Sequence, residues 1–295
     1  MNPLITVVTP SYNQAQFLEQ TICSVLDQET PNLEYMVVDG GSKDGSLAII
    51  QKYAGDLAWW VSEPDKGQGH AIQKGFNRAQ GKYLAWLNSD DYYLPDALDS
   101  AIKTLEAHPE MGMVYGDVLA VDENGKTIRR LRYQPWDLKD LIQFNIIGQP
   151  SVVMRRAAYE QAGGISTQYQ YLLDHHLWLR IAANTKIGYV PEVWSAARFH
   201  KAAKNKAHAA AFGEEANRIA TWLSEDEKYV SLYIQYQKQI WAGAYRFGAR
   251  YLSEGKQYRD ALETYKKAWR FNPAVVLRDW KRVGVTLLGS LGMWK

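Results

Sequence analysis

Between Leu4 and Leu87 the sequence repeats one pattern, and that repetition limits the folds open to it. A short apolar run gives way to a turn rich in Gly, Asp and Ser, and then to apolar residues at helical spacing. Leu4-Ile5-Thr6-Val7-Val8-Thr9 is a β-branched run predicted as a buried strand that stops at Pro10, which cannot donate to a ladder. Phe17, Ile22, Val25 and Leu26 follow at helical spacing. Leu33 to Val38 repeats the arrangement, with a turn over 39–46 and a helix opening at Leu47-Ala48-Ile49-Ile50. Ala58 to Val61 is a third strand, leading through a Gly-containing loop to a helix over 71–79, and Tyr83 to Leu87 is a fourth, apolar on both faces. Alternating strands and helices joined by short turns predict an α/β domain, its parallel sheet covered by helices on both faces.

The turns carry the chemistry. Asp39, Asp65, Asp90 and Asp91 each lie just past a strand, so one crevice along the carboxyl ends of the strands can collect all of them. Asp90 and Asp91 stand side by side after a core strand, where two carboxylates repel and lose hydration unless a positive charge sits between them. A hard divalent cation, Mg²⁺ or Mn²⁺, is the simplest such charge, and water and substrate phosphates complete its shell. The competing reading is structural: an Asp-Gly turn at Asp39, and a helix cap for the segment after Pro95 at Asp90 and Asp91. The Gly-x-x-x-x-Gly-Lys-Ser/Thr cradle is absent, as is a G-x-G-x-x-G after the first strand, so a nucleoside diphosphate would have to be held by metal and side chains.

Composition narrows the class. The formal net charge of +2 supplies no global field for nucleic acid, and none is expected as a partner. A lone cysteine, Cys23, excludes an internal disulfide; lying in an apolar helical pattern, it reads as an inert buried thiol in a reducing cytoplasm. Leu4 to Val8 is too short for a secretory segment, and no apolar run approaches the roughly 20 residues of a membrane span. The expectation is a cytoplasmic protein, soluble or peripheral. Eleven Trp and 19 Tyr suit a chain that handles sugar rings, although aromatics are also ordinary core material.

Four segments together resemble one family. VVTPSYN at 7–13, VDGGSKDGS at 38–46, SEPDKGQGHAIQKGFNRAQGKYLAWLNSDD at 62–91 and LLDHHLWLRIA at 172–182 are similar, in order, to the motifs of family 2 glycosyltransferases. The resemblance covers about two-thirds of the chain. It implies a GT-A-type, Rossmann-like mixed sheet with helices on both faces, a nucleoside-diphosphate-sugar donor, a divalent metal and inversion at the anomeric carbon. By the same resemblance Thr9, Pro10 and Tyr12 line the base and ribose pocket and Asp39 reads the base. Asp65 and Lys66 belong to the nucleotide-sugar set, Asp90 lies near the ribose, Asp91 binds the metal, and Asp174 is the general base. The family has an acidic residue where His176 stands and often Glu in place of Leu173, so His175 and His176 enter as alternative bases.

The second half is less regular. Gly112 to Val121 and Lys126 to Tyr133 read as a hairpin around Asp122-Glu123-Asn124-Gly125, and Gly148-Gln149-Pro150-Ser151 as a turn entering a strand. Gly163-Gly164 opens a flexible stretch whose Tyr169 and Tyr171 are candidate stacking faces for an acceptor sugar, or lid packing. Asp174 begins a helix, where a cap alone would contribute roughly 1 kcal/mol. After a short strand over 188–190, Arg198-Phe199-His200-Lys201 resembles a late family segment in which His200 reaches metal or diphosphate and the lysines screen phosphate; a solvated basic loop fits equally.

From about His208 the sequence is helical. The expected division is a catalytic domain over 1–207, with a nucleotide-sugar half at 1–91 and an acceptor half at 92–207, then a helical extension over 208–295. Tyr258 to Pro273 resembles the second helix of a tetratricopeptide repeat; one such unit cannot stand alone, so it reads as a helical hairpin packed on the catalytic domain. Val276, Trp280, Val283, Leu287, Leu291 and Trp294 share one helical face, with Arg278, Lys281 and Arg282 toward the other. That pattern fits a peripheral membrane contact, or a helix folded onto its own domain. The expected function is inverting transfer of a sugar to a hydroxyl of a glycan or lipid-linked glycan, in surface polysaccharide synthesis. The rivals are a sugar nucleotidyltransferase, which should carry a Gly-rich basic loop in place of Pro10-Ser11-Tyr12-Asn13, and a degenerate binding module.

Overall fold

The computed structural model describes residues 3–200 and 208–293. It divides into two compact units: Met1–Asp137 with Ile147–Phe199, and Leu138–Ile146 with His200–Lys295. The short segment Leu138–Ile146 groups with the helical unit.

The first unit is built on a nine-stranded sheet. Its first half is β1 (Ile5–Ser11), α1 (Ala15–Leu26), β2 (Leu33–Asp39), α2 (Ser46–Lys52), β3 (Trp59–Ser62), α3 (Gln68–Phe76) and β4 (Tyr83–Trp86). Then come β5 (Tyr92–Tyr93), α4 (Ala97–Ala107), β6 (Met111–Val121), β7 (Thr127–Leu131), β8 (Val152–Arg155), α6 (Arg156–Gln161), α7 (Leu173–Ala182) and β9 (Lys186–Arg198), while α5 (Leu138–Leu141) belongs to the other unit. The strand order is β3-β2-β1-β4-β8-β6-β9-β5, with β7 paired to β6. The four leading strands run parallel, and β8 is antiparallel to both β4 and β6, which makes the sheet mixed.

Alternation along the strands supplies a core on each face. Ile5, Val7, Tyr35, Val37, Tyr83, Ala85 and Leu87 pack with Leu18 and Ile22 of α1 and Leu98 and Ile102 of α4. Trp86 points to the other face, where its ring lies 5.2 Å from that of Trp178 on α7 and 6.1 Å from Phe76 on α3. Helix α3 approaches the sheet closely because residue 75 is glycine: a Cβ there would stand 2.6 Å from Val8 Cγ1.

Two strand expectations are corrected. Pro10 does not stop β1, which runs on to Ser11 with Pro10 paired to Val38. Backbone groups alternate sides in this strand: Val8 O accepts from Leu87 N on the β4 side and Ser11 O from Gly40 N on the β2 side. Pro10 therefore faces the β4 side beyond the last β1–β4 pair, Val8 with Trp86, where no N–H is required. The short strand expected at 188–190 is the 13-residue β9, because long parallel pairing with β6 carries it through Pro191 by shifts of register.

The second unit contains α8 (Ala209–Glu225), α9 (Val230–Glu254), α10 (Tyr258–Phe271), α11 (Pro273–Leu277) and α12 (Trp280–Ser290). Ala249, Tyr265, Ala268 and Val276 form a core cluster within it. No helix among the described residues is long and apolar enough to cross a membrane.

Candidate active site

Strand β1 has β2 on one side and β4 on the other, so the chain's progress across the sheet reverses there, the point at which open α/β sheets place a ligand crevice outside the carboxyl ends of the strands. Asp39 ends β2 at that edge and is fully buried. Its Oδ2 accepts from Gly41 N at 3.0 Å, Ser42 N at 2.8 Å and Ser62 Oγ at 2.7 Å, and its Oδ1 from Ser42 Oγ at 2.5 Å. The Asp-Gly turn reading is therefore correct as local structure, and it fixes the carboxylate rigidly. The two flanking loops are tied together: Ser42 Oγ accepts from Asn13 N at 2.8 Å, and Asn13 Oδ1 accepts from Lys43 N at 2.9 Å.

Asp65 and Tyr12 meet at Gly40, whose lack of a side chain makes room for both. A Cβ there would lie 3.0 Å from Asp65 Oδ2 and 3.2 Å from Tyr12 Cδ2. The Tyr12 ring is 62% exposed, which leaves one face open for stacking. Thr9 differs, being wholly buried with Oγ1 2.9 Å from Tyr35 Oη, so only its main chain remains for the crevice. Pro10 is buried in β1, and Lys66 is exposed. Ser11 Oγ is buried without a hydrogen-bond partner among the described residues, directly across from Asp39.

At the end of β4, Asp91 is 6% exposed. Its Oδ1 accepts from Arg198 N at 3.0 Å and its Oδ2 weakly from Asn88 Nδ2 at 3.4 Å. Burial and the adjacent Asp90 push this carboxyl well above the usual carboxylate range, against the opposing pull of the Arg198 N–H and Asn88. Neither aspartate caps α4, whose cap position is Asp96. Asn88 is itself held: its Oδ1 accepts from Gln68 Nε2 at 2.6 Å, its Nδ2 donates to Gln149 Oε1 at 3.1 Å, and Gln149 Nε2 donates to Trp86 O at 2.8 Å.

Arg198, at the end of β9, holds the region together although its guanidinium makes no ion pair with Asp91 among the described residues. It donates to Asp90 O at 3.0 Å, Glu123 O at 3.0 Å and Gln20 Oε1 at 2.6 Å, and lies 4.5 Å from the Phe17 ring centre. Sequence reasoning had only the Arg-x-His spacing as a signal for this residue, and none for its partners.

A divalent cation fits this donor set: a buried carboxylate beside a second one, satisfied only by N–H groups, is stabilised by a positive charge. Among the described residues no group of three or more His, Cys, Asp and Glu side chains converges, so such an ion would take further ligands from water and diphosphate, as Mg²⁺ and Mn²⁺ do. His200 is buried two residues beyond Arg198 and opens the helical unit, while Lys201 and Lys204 lie outside the described residues.

Asp174 sits in the first turn of α7 and is half-buried, its Oδ1 accepting from His175 N at 2.7 Å. Burial, then the charges of Asp117 and Asp174, drive the Tyr133 hydroxyl pKa upward. The two histidines face inward. His175 is fully buried, and His176, with its ring 4.4 Å from that of Tyr169, is held neutral by burial, Arg180 and His175, its pKa lowered to about 3. Tyr169 is packing rather than an open sugar face, and Tyr171 is half-buried. Cys23 is half-buried with Sγ 3.3 Å from Tyr53 Oη.

Residues 6–162 match the family model Glycosyl transferase family 2. This chain belongs to that family. A Rickettsia bellii protein described as an uncharacterized glycosyltransferase is 28% identical over 231 residues, 75% of this chain and 33% of that protein. The chain thus spans about a third of the length of that relative and of those in Rickettsia felis and Rickettsia conorii. TuaG of Bacillus subtilis, assigned as a glycosyltransferase of teichuronic acid biosynthesis, is 35% identical over 170 residues, 55% of this chain and 65% of that one. Two solved structures share the fold. S. aureus TarS 1-349 in complex with UDP-GlcNAc gives a TM-score of 0.61 at 15% identity, covering 95% of this chain and 92% of that one. The mannosyltransferase PcManGT of Pyrobaculum calidifontis, in complex with GDP-Man and Mn²⁺, gives 0.64 at 21% identity, covering 99% and 86%. The sheet with its helical extension is of the GT-A type, as the sequence motifs implied.

Proposed function

We propose that this family 2 member is an inverting glycosyltransferase that moves a sugar from a nucleoside diphosphate to a hydroxyl of a glycan or lipid-linked glycan, in surface polysaccharide synthesis. The observation that carries the reading is the fixed Asp39 carboxylate, with Tyr12 and Asp65 beside it, on the same sheet edge as the buried Asp91. In this reading Asp39 accepts from the base, the exposed Tyr12 ring stacks on it, Asp65 and Lys66 contribute to the nucleotide-sugar pocket, and Asp90 lies near the ribose. The main chain of Thr9 and Pro10 forms the floor.

Mg²⁺ or Mn²⁺ would be held by Asp91, with water and diphosphate completing its shell; when bound it would neutralise charge growing on the leaving diphosphate. The chain's own residues do the rest. Asp174 takes the proton of the acceptor hydroxyl as its oxygen bonds to the anomeric carbon and the bond to the diphosphate oxygen breaks. Asp174 rather than His176 is given this role because the His176 ring is enclosed against Tyr169 and its pKa, lowered to about 3, makes it a weak base. TarS and PcManGT, crystallised with UDP-GlcNAc and with GDP-Man, support the donor class, and the polysaccharide assignment of TuaG supports the acceptor class. The lone cysteine fits a cytoplasmic enzyme.

The test is to incubate the chain with a panel of nucleoside-diphosphate sugars and glycan acceptors and to read both diphosphate release and product configuration by NMR. An acceptor-dependent product of opposite anomeric configuration supports the proposal. A product of retained configuration, or the free sugar phosphate, contradicts it.

A further inference from the structure

The last helices of the second unit bury Val275 and Val276 but leave much of their apolar surface outside. The side chains that α11 and α12 turn inward include polar ones. Asp279 is 8% exposed and ion-paired with Arg250, and the fully buried Thr286 is 2.8 Å from Ser253 Oγ. Turned outward are Leu277, Trp280, Leu287, Leu288 and Leu291, with Trp280 and Leu291 each 65% exposed. Their positions are at helical spacing, and Gly284, within the stripe, has open space around it. The stripe differs from the face expected from sequence: Val276 is core, Val283 is half-buried, and Trp294 lies outside the described residues.

We infer that this stripe is a docking surface for an anionic lipid membrane, on which α12 lies without crossing. Charge decides the occupant. The exposed charged side chains on and beside the stripe, Arg278 and Lys281, are both basic, and Lys281 Nζ lies 5.6 Å from the Trp280 ring centre. Arg282 is engaged by Glu254 at 3.2 Å, and Asp279, the acidic residue of the segment, is enclosed. A second copy meeting the stripe would find no acidic side chain on it to offset these cations, whereas anionic headgroups do so while the leucines and Trp280 enter the acyl boundary. From Leu277 to Leu291 the stripe extends for roughly 20 Å at helical rise, enough to anchor but not to span. The inference stands on this unit's own surface and is independent of the donor reading.

The experiment is flotation of the full chain with mixed phosphatidylglycerol–phosphatidylcholine vesicles and with pure phosphatidylcholine vesicles, alongside sedimentation equilibrium without lipid. The wild type should float with the mixed vesicles, more weakly as salt rises, and weakly or not at all with phosphatidylcholine alone. Arg278→Glu combined with Lys281→Glu should weaken that binding at least about tenfold. Trp280→Ser with Leu287→Ser and Leu291→Ser should abolish it while preserving the melting temperature, since these residues are exposed. Equal binding to both vesicle types, unchanged binding by either variant, or a lipid-free dimer that dissolves in the triple variant with no vesicle binding would each overturn the proposal.

Discussion

Replacing Arg198 with Met keeps an apolar stem against Phe17 but removes the guanidinium. Three close hydrogen bonds are lost, to Asp90 O, Glu123 O and Gln20 Oε1, with a weaker fourth to Asp122 O at 3.4 Å and the cation–π contacts to Phe17 and, more distantly, Tyr92. Partly buried bonds from a charged donor contribute about 1 kcal/mol each in net terms, and the ring contact about 0.5–1. The expected loss is about 3–4 kcal/mol. For a unit of this size each kcal/mol moves Tm by roughly 2–4 °C, so calorimetry should register a fall of about 10 °C. The bond from Arg198 N to Asp91 is made by the backbone and survives the substitution. Arg198→Lys should recover less than half of the loss, because an ammonium cannot reproduce the fork. A change below about 2 °C in the Met variant would refute the argument that Arg198 staples β9, α1 and the Asp90 turn together.

Asp174→Asn should cost at least about 10²-fold in kcat with donor affinity nearly unchanged, since the amide oxygen can still accept from His175 N and preserve the helix start; full turnover in a kinetic assay would remove Asp174 from the mechanism. His176 has a folded pKa of about 3 against 6.5 unfolded, so the unfolded chain binds the extra proton and stability falls as pH drops from about 6.5 toward 3. Between pH 7 and 5 this group should remove about 2 kcal/mol, and His176→Phe, which keeps the contact with Tyr169, should lose correspondingly less in denaturant melts; identical slopes would contradict its burial as a neutral ring. Gly75→Ala should destabilise by about 1–3 kcal/mol in the same melts, because its Cβ would meet Val8 at 2.6 Å, and a neutral result would mean that α3 shifts freely on the sheet.

The first half of the fold was legible because β1, β2 and β4 are buried on both faces, β3 is half-buried, and each turn is local: apolar runs report directly on these strands, and the Asp-containing turns on where Asp39, Asp65 and Asp91 stand. Pro10 misled because a residue's effect on a ladder depends on which neighbour its N–H faces, and that is set by the length of β4. The extent of β9 was hidden for a similar reason, since its pairing with β6 is long-range and proceeds through register shifts between Met111 and Met113 and between Tyr115 and Val118 of β6. The exposure of Trp280 and Leu287 was also out of reach: the periodicity defines an apolar face, but the Asp279–Arg250 pair and the Thr286–Ser253 contact decide which face turns inward. Thr9 is placed by its motif and Tyr169 by the stretch after Gly163-Gly164, whereas their partners, Tyr35 and His176, come from elsewhere in the chain.

The central claim is that one sheet edge binds a nucleoside diphosphate through Asp39 and, with a metal, through Asp91. Titration calorimetry of UDP and GDP into the full chain, with and without Mn²⁺, tests it most directly. The account predicts that one of the two binds, that Mn²⁺ strengthens the binding at least about tenfold, that Asp91→Asn removes the Mn²⁺ effect while the metal-free affinity and melting temperature persist, and that Asp39→Asn weakens binding in both conditions. Binding by neither nucleotide, or an undiminished Mn²⁺ effect in Asp91→Asn, would contradict it.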